Sequence, residues 1–417
     1  MKSFFLKFSL LAGLSLSGFC SVFAQTKTEV INTYLKVTSE EDFVEDGVYV
    51  VVTPLESDST IMAVMAQVNK DVTKRLHVNI PDDVSDNILN IPFEKVATKG
   101  NREGAYEFYL RKNKTKGFYL FDSVNELYLI ATDPTGRNAK LGLNSLYNSE
   151  DKIKCTININ DWDNYKIEFF PGGETSDYRY LKYNQSNSFP YFSCYRNNSS
   201  GSFAQLYRKV IPIKMTSAGY STLCADYAFK MPKGLTGGIV KSDGGTKLTI
   251  DYCYPTDSIV PAHTPIILKG AENTYNASVM SVVGNTHEGN YLYATVDAYG
   301  KTSVDGDNGD NYKYYKLAKY NNEVGFWWNE EGGKPFMNGK NKAYLALKRN
   351  SSVAEVKGFT LEGLEQTGIA NATTQENATS TAVYDLNGKL MPQTQTRSLP
   401  AGVYIINGKV TILKNNR

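Results

Sequence analysis

Apolar and polar residues alternate with a period of two through most of the chain. Tyr106-Glu107-Phe108-Tyr109-Leu110 and Tyr165-Lys166-Ile167-Glu168-Phe169 are the clearest cases. Such alternation sends successive side chains to opposite faces of a strand. Gly47–Val52, Tyr178–Leu181, Tyr191–Tyr195 and Ala204–Arg208 read as further strands. Gly117–Leu120 and Leu127–Ile130 flank Asp122–Asn125, which reads as a hairpin. Residues 61–76 alternate less clearly and leave room for a helical turn. A second series contains Ile266–Leu268, Tyr312–Leu317, Gly325–Trp328 and Lys342–Leu347. No 3.6-residue apolar period is sustained, so long helices are not expected. Residues 367–380, TGIANATTQENATS, are too small and polar to bury a core and read as a linker. The expected architecture is all-β: two tandem antiparallel β-barrel or β-sandwich domains (25–210 and 211–366), the linker, and a small C-terminal β domain (381–417).

Composition agrees with strands, with 29 Tyr, 19 Phe and 33 Gly. The 45 basic residues nearly balance the 43 acidic ones. Two of the basic residues, Lys2 and Lys7, lie in the first 24 positions. Without them the charge is zero, which argues against nucleic acid as a partner. Residues 1–24 have a charged start, a short apolar stretch at 8–19 and a small-residue end at Val22-Phe23-Ala24, the form of a secretory signal peptide. Phe19 before Cys20 argues against a lipoprotein. No later stretch has the roughly 18 apolar residues of a transmembrane helix. The expected location is therefore secreted.

Export makes disulfides expected for Cys155, Cys194, Cys224 and Cys253. Four cysteines allow three pairings. Sequence neighbours favour Cys155–Cys194 and Cys224–Cys253, with four buried thiols as the alternative. Only three His are present, a mild argument against a hydrolase. No cofactor is expected. The only metal candidate is a weak one for calcium, at Asp305, Asp307 and Asp310, because hard oxygens at alternating positions suit that ion. An EF-hand would need an acid where Lys316 stands, so a plain acidic turn is the competing reading. Trp327 and Trp328 beside Glu330 and Glu331, and Trp162 between Asp161 and Asp163, are binding candidates with core packing as the alternative. Alternation places Trp327 and Trp328 on opposite faces.

The tail reads Val383-Tyr384-Asp385-Leu386-Asn387-Gly388-Lys389, then Leu399-Pro400-Ala401-Gly402-Val403-Tyr404-Ile405, then Asn407-Gly408-Lys409, and ends in Ile412-Leu413-Lys414. It resembles the C-terminal sorting domain of the type IX secretion system of Bacteroidota over roughly 50 residues. Thr367-Gly368-Ile369 looks like its entry motif. The resemblance implies passage through that machinery to the outer-membrane surface or the extracellular space, with Gly402, Tyr404 and Lys414 in the sorting signal. A small structural hairpin domain is the alternative. Ala218–Leu223, Met231–Leu235, Ile259–Ala262, Pro265–Gly270, Gly289–Leu292 and Lys342–Leu345 resemble a β-sandwich accessory module of secreted Bacteroidota proteins. The region ending Phe203–Arg208 is similar to another such module. Neither module implies catalysis. The expected function is a non-enzymatic cell-surface or secreted binding protein that recruits an extracellular protein, for example a host luminal protein or a protease. A carbohydrate-binding adhesin is the alternative, and an unrecognised hydrolase the third reading.

Overall fold

In the computed structural model the chain is built from strands, joined by turns and single-turn 3-10 helices. It describes residues 30–361 except 71–73, 82–86, 113–116, 132–139, 146–155, 160–165, 170–179, 186–188, 243–247, 296–298, 305–310 and 350–355, together with three strands between 383 and 413. No α-helix occurs among the described residues. The expected leader, 1–24, and the expected linker, 367–380, lie outside them.

The first part of the chain contains β1 (Ile31–Lys36), β2 (Val48–Pro54), β3 (Ile61–Val68), β4 (Arg75–Pro81), β5 (Ile88–Pro92), β6 (Phe108–Lys112), β7 (Phe118–Asp122), β8 (Leu127–Ala131) and β9 (Leu141–Asn144). It continues with β10 (Thr156–Ile159), β11 (Ile167–Phe169), β12 (Tyr180–Asn184), β13 (Tyr191–Tyr195), β14 (Ser202–Phe203) and β15 (Gln205–Met215). All registered pairs are antiparallel. The pairing path from β2 through β3, β4, β13, β12, β11, β10, β7 and β6 leads back to β2. Two of its links rest on single pairs, Arg75↔Phe192 and Glu168↔Tyr180, so the sheet curves around its core without forming a regular barrel. Inward positions such as Tyr49, Val51, Phe108, Leu110, Leu120 and Phe169 form that core. Val50, Val52, Met62 and Val64 point to the opposite face, into a second core with Tyr34 and Ile91. That double burial is why Val48–Val52 of β2 is a continuous apolar run, since a strand covered on both faces has no solvent side to mark with polar residues.

The weak alternation at 61–76 resolves as β3 and β4, joined across a register shift between Met65 and Val68. No helical turn forms in the described part. The expected hairpin forms where the sequence places it, between β7 and β8. Asp122 Oδ1 accepts the amides of Val124 and Asn125, both at 2.9 Å, and so closes the turn.

β15 runs unbroken through residue 210. Its first half pairs with β1 and β2, and its second half, Val210–Met215, pairs with Asn273–Ser278. The second part holds β16 (Tyr220–Leu223), β17 (Phe229–Lys230), β18 (Leu235–Ser242), β19 (Leu248–Tyr254), β20 (Ile259–Val260), β21 (Ile266–Gly270) and β22 (Asn273–Ser278). It then adds β23 (Leu292–Ala294), β24 (Tyr299–Lys301), β25 (Tyr312–Tyr320), β26 (Glu323–Trp328), β27 (Met337–Gly339), β28 (Ala343–Lys348) and β29 (Gly358–Thr360). The sheet β16-β21-β18-β19 faces the sheet β23-β28-β25-β26-β29. Val240, Leu248 and Ile267 of the first meet Tyr315, Phe326 and Leu345 of the second, which makes a β-sandwich. Thr222 stitches the layers: its hydroxyl donates to Ala343 O at 3.0 Å and accepts the Ala343 amide at 3.2 Å.

Farther on, β30 (Val383–Asp385), β31 (Gly402–Ile406) and β32 (Lys409–Leu413) form a three-stranded sheet. Ile406 sits opposite Lys409, which leaves Asn407-Gly408 between the strands.

The expected disulfides are not formed among the described residues. Cys194, Cys224 and Cys253 are free thiols, and Cys155 lies outside the described residues. Topology explains the Cys224–Cys253 case. Cys224 follows β16 and Cys253 lies on β19, at opposite edges of a four-stranded sheet. Three strand spacings are about 14 Å, whereas a disulfide needs Cα atoms within about 7 Å.

Candidate functional site: an aromatic sheet face

The same alternation that buries Phe108, Leu110 and Leu120 puts Tyr109, Arg111, Tyr119 and Phe121 on the outer face of β6 and β7. Register then gathers them. Tyr109 lies opposite Phe121, Arg111 opposite Tyr119, and Phe121 opposite Tyr128 of β8. All five side chains are half-buried. Tyr109 and Phe121 stack at 6.0 Å between ring centres, while Phe121 meets Tyr128 edge-on at 5.0 Å. Tyr119 meets Tyr128 edge-on at 5.7 Å. The Arg111 guanidinium lies 5.5 Å from the Tyr109 ring and 5.9 Å from Phe121, and pairs with Asp46.

Ion pairs rim this patch. Lys209 binds Glu107 at 2.9 Å, and Lys99 binds Glu126 at 2.6 Å. The Tyr109 hydroxyl is pushed above its ordinary range by burial first and by the Glu107 charge second, with Lys209 opposing. Directly beneath the face, the inward carboxylate of Asp122 holds the buried Arg75 at 2.6 Å. The arrangement is an apolar, aromatic centre with a charged but internally neutralised border. Chemically it offers large rigid contact area, ring edges and faces, and hydroxyl groups.

The candidates read from the sequence fall elsewhere. In β26, Trp327 stands opposite Lys316 and Trp328 opposite Tyr315, on the two faces of the strand as alternation requires. Trp328 packs against the sandwich core, with Lys313 Nζ 4.9 Å from its ring. Trp327 is on the outer face, its ring 5.3 Å from Tyr320 at an angle of 50°. It lies flat over Gly358, where a Cβ would overlap the indole. The structure does not bring Trp327 and Trp328 into one platform. Trp162 and the acidic turn with Asp305, Asp307 and Asp310 lie outside the described residues. Among the described residues no group of three His, Cys, Asp or Glu is placed to hold a metal ion. Gly402 and Tyr404 lie on β31, opposite Leu413 and Thr411, and Lys414 is outside the described residues. No described helix is long and apolar enough to cross a membrane.

Sequence reasoning found the strands of the aromatic face but not the face. The signal was present in the outward positions of the alternating runs at 106–110 and 117–120. Joining them needed the register.

Known protein families, curated proteins and solved structures contain no match to this chain.

Proposed function

We propose that the chain is a non-enzymatic recognition protein of the cell surface or extracellular space, and that the β6–β8 face captures another protein. The sorting-domain resemblance of the tail supports export by type IX secretion. The aromatic face carries the binding reading. Tyr and Arg side chains that are rigid, partly buried and rimmed by polar groups match the anatomy of protein interfaces. Each charge on the border has its own counter-charge, which favours a partner with an apolar anchor over a highly charged one. Ring geometry does not separate protein from sugar: Phe121–Tyr128 and Tyr119–Tyr128 meet at 68° and 73°, whereas Tyr109 and Phe121 are near-parallel at 22°.

The test is capture from extracellular fluid by the immobilised mature chain, with a photo-reactive phenylalanine at Tyr119. One protein, saturable and insensitive to free sugars, is expected. Phe121→Ala with Tyr128→Ala should abolish capture while the circular dichroism spectrum stays native. Capture that survives the double variant refutes the site. Competition by free sugars transfers the function to the carbohydrate reading.

A further inference from the structure

The aromatic face belongs to the first part of the chain, yet each end of the strand that carries it is gripped by the second. At the Arg111 end the grip is through Asp46. Its carboxylate pairs with Arg111, and its amide donates to Leu110 O at 2.7 Å. Its carbonyl accepts the Ser281 amide at 2.8 Å and the Ser281 hydroxyl at 2.9 Å. Asp46 sits at φ 63°, a left-handed conformation that a non-glycine residue holds only when its surroundings fix it. Part of those surroundings is cross-domain. The Val48 amide bonds Val279 O at 3.1 Å, and Gly47 bridges Met280.

At the other end the grip is through Glu107, two residues before Tyr109 on the same face. Its Oε1 accepts the Tyr34 hydroxyl at 2.6 Å and Lys209 Nζ at 2.9 Å. Lys209 is only 3% exposed. Its ammonium lies 3.8 Å from the centre of the Tyr227 ring, and the Tyr227 hydroxyl donates to Asn32 Oδ1 at 3.1 Å. Tyr227 and Ser281 both come from the sandwich part of the chain.

We infer that Tyr227 and Ser281 are positioning residues for the aromatic face, so that the sandwich domain sets the binding surface of its neighbour. This rests on the protein-capture reading above. The physical gain is preorganisation: a face whose strand is fixed at both ends loses less freedom on binding. It gives the second domain a role without requiring it to touch the partner. Tyr227 acts by holding Lys209 against Glu107, and Ser281 by holding the backbone of Asp46 and through it Arg111.

Amide hydrogen exchange of the full mature chain, read by mass spectrometry, tests this without any partner. The reporting amides are Leu110, which donates to Gly47 O at 3.0 Å, and Asp46. Tyr227→Leu combined with Ser281→Ala should speed exchange over residues 106–112 by about tenfold. Exchange over Ala343–Leu347, in the far sheet of the sandwich, should stay at the wild-type rate. Tyr227→Phe keeps the ring over Lys209 and should restore protection when paired with wild-type Ser281. Unchanged exchange over 106–112 overturns the inference. A uniform rise in both domains, the mark of a merely structural contact, overturns it as well. Capture by the Phe121→Ala, Tyr128→Ala variant decides the binding reading separately, so the two failures are distinguishable.

Discussion

Asp122 and Arg75 predict an asymmetric pair of variants. Both side chains are fully buried and joined at 2.6 Å. Beyond that bond their positions differ. Asp122 also accepts the Val124 and Asn125 amides and the Asn125 side-chain amide at 2.8–2.9 Å. Arg75 has Nε and Nη1 without hydrogen-bond partners, and beyond Asp122 only the rings of Tyr106 and Phe108, at 4.8 and 5.4 Å, soften its charge. Asp122→Asn keeps an oxygen for the turn amides but strands a buried guanidinium. Losing one partner of a buried pair costs about 3–5 kcal/mol. Arg75→Met leaves a carboxylate that still holds three donors, so the loss is closer to one buried hydrogen bond, about 1–3 kcal/mol. The double variant removes both charges and should be no worse than Arg75→Met alone. Urea unfolding followed by circular dichroism measures this. With a slope of about 2 kcal/mol/M, Asp122→Asn lowers the midpoint by about 2 M. Equal costs for the two single variants, or a double variant as unstable as Asp122→Asn, would refute the reasoning. The result bears on function because Asp122 closes the β7–β8 turn, which sets Phe121 beside Tyr128.

Two further predictions concern titration and thiols. His77 packs edge-on against Tyr183 at 5.1 Å, and burial lowers its pKa below the ordinary value while the Pro190 carbonyl partly opposes. The unfolded chain therefore binds the proton more readily, so this contribution is present above about pH 6.5 and is lost as the pH falls below that value through the lowered folded pKa. His77→Phe should flatten the fall in stability between pH 7.5 and 5, and an unchanged slope in urea midpoints would count against it. Burial pushes the Cys194 thiol far up, and burial followed by the Asp226 charge pushes Cys224 up to about 11. In the native mature chain iodoacetamide should modify half-exposed Cys253 before Cys194, and reductant should leave the thermal midpoint unchanged. A midpoint that drops on reduction would show that a bridge exists.

Local pattern made the strands legible. The runs at 106–110, 117–120 and 127–130 appear as β6, β7 and β8, and the Asp122 turn forms where its Asx chemistry requires. Residues 61–76 hid their strands because Met62, Val64, Ala63 and Met65 serve two cores at once, which erases the alternation. The expected Cys224–Cys253 bridge fails because closeness in sequence says nothing about sheet order. Cys224 and Cys253 are 29 positions apart, but two strands, β21 and β18, stand between them. The site was legible in its strands but not as a surface. The Trp residues drew attention because they are rare and large, yet Trp328 is core packing and Trp327 covers a glycine. Tyr109, Tyr119, Phe121 and Tyr128 are individually ordinary for this composition, and only register makes them one surface.

The charges around that surface also bear on catalysis against recognition. A general acid or base must be free to exchange its proton with substrate. Around the face, Asp46 is engaged by Arg111, Glu107 by Lys209 and Tyr34, Glu126 by Lys99, and Asp122 by Arg75 and its own turn. Asp46, Glu107 and Asp122 are engaged in holding elements in place, while Glu126 makes an exposed surface pair. The aromatic rings in turn hold one another through stacked and edge-on contacts, so their area is available at low conformational cost. A partner would gain burial of apolar surface and lose little to ordering, which is the regime in which a strand-borne face binds tightly without loops. Carboxylates engaged in this way support the proposed recognition reading over catalysis. On that proposal the domain junction, through Asp46 and Glu107, is where binding strength would be set without contact to the partner.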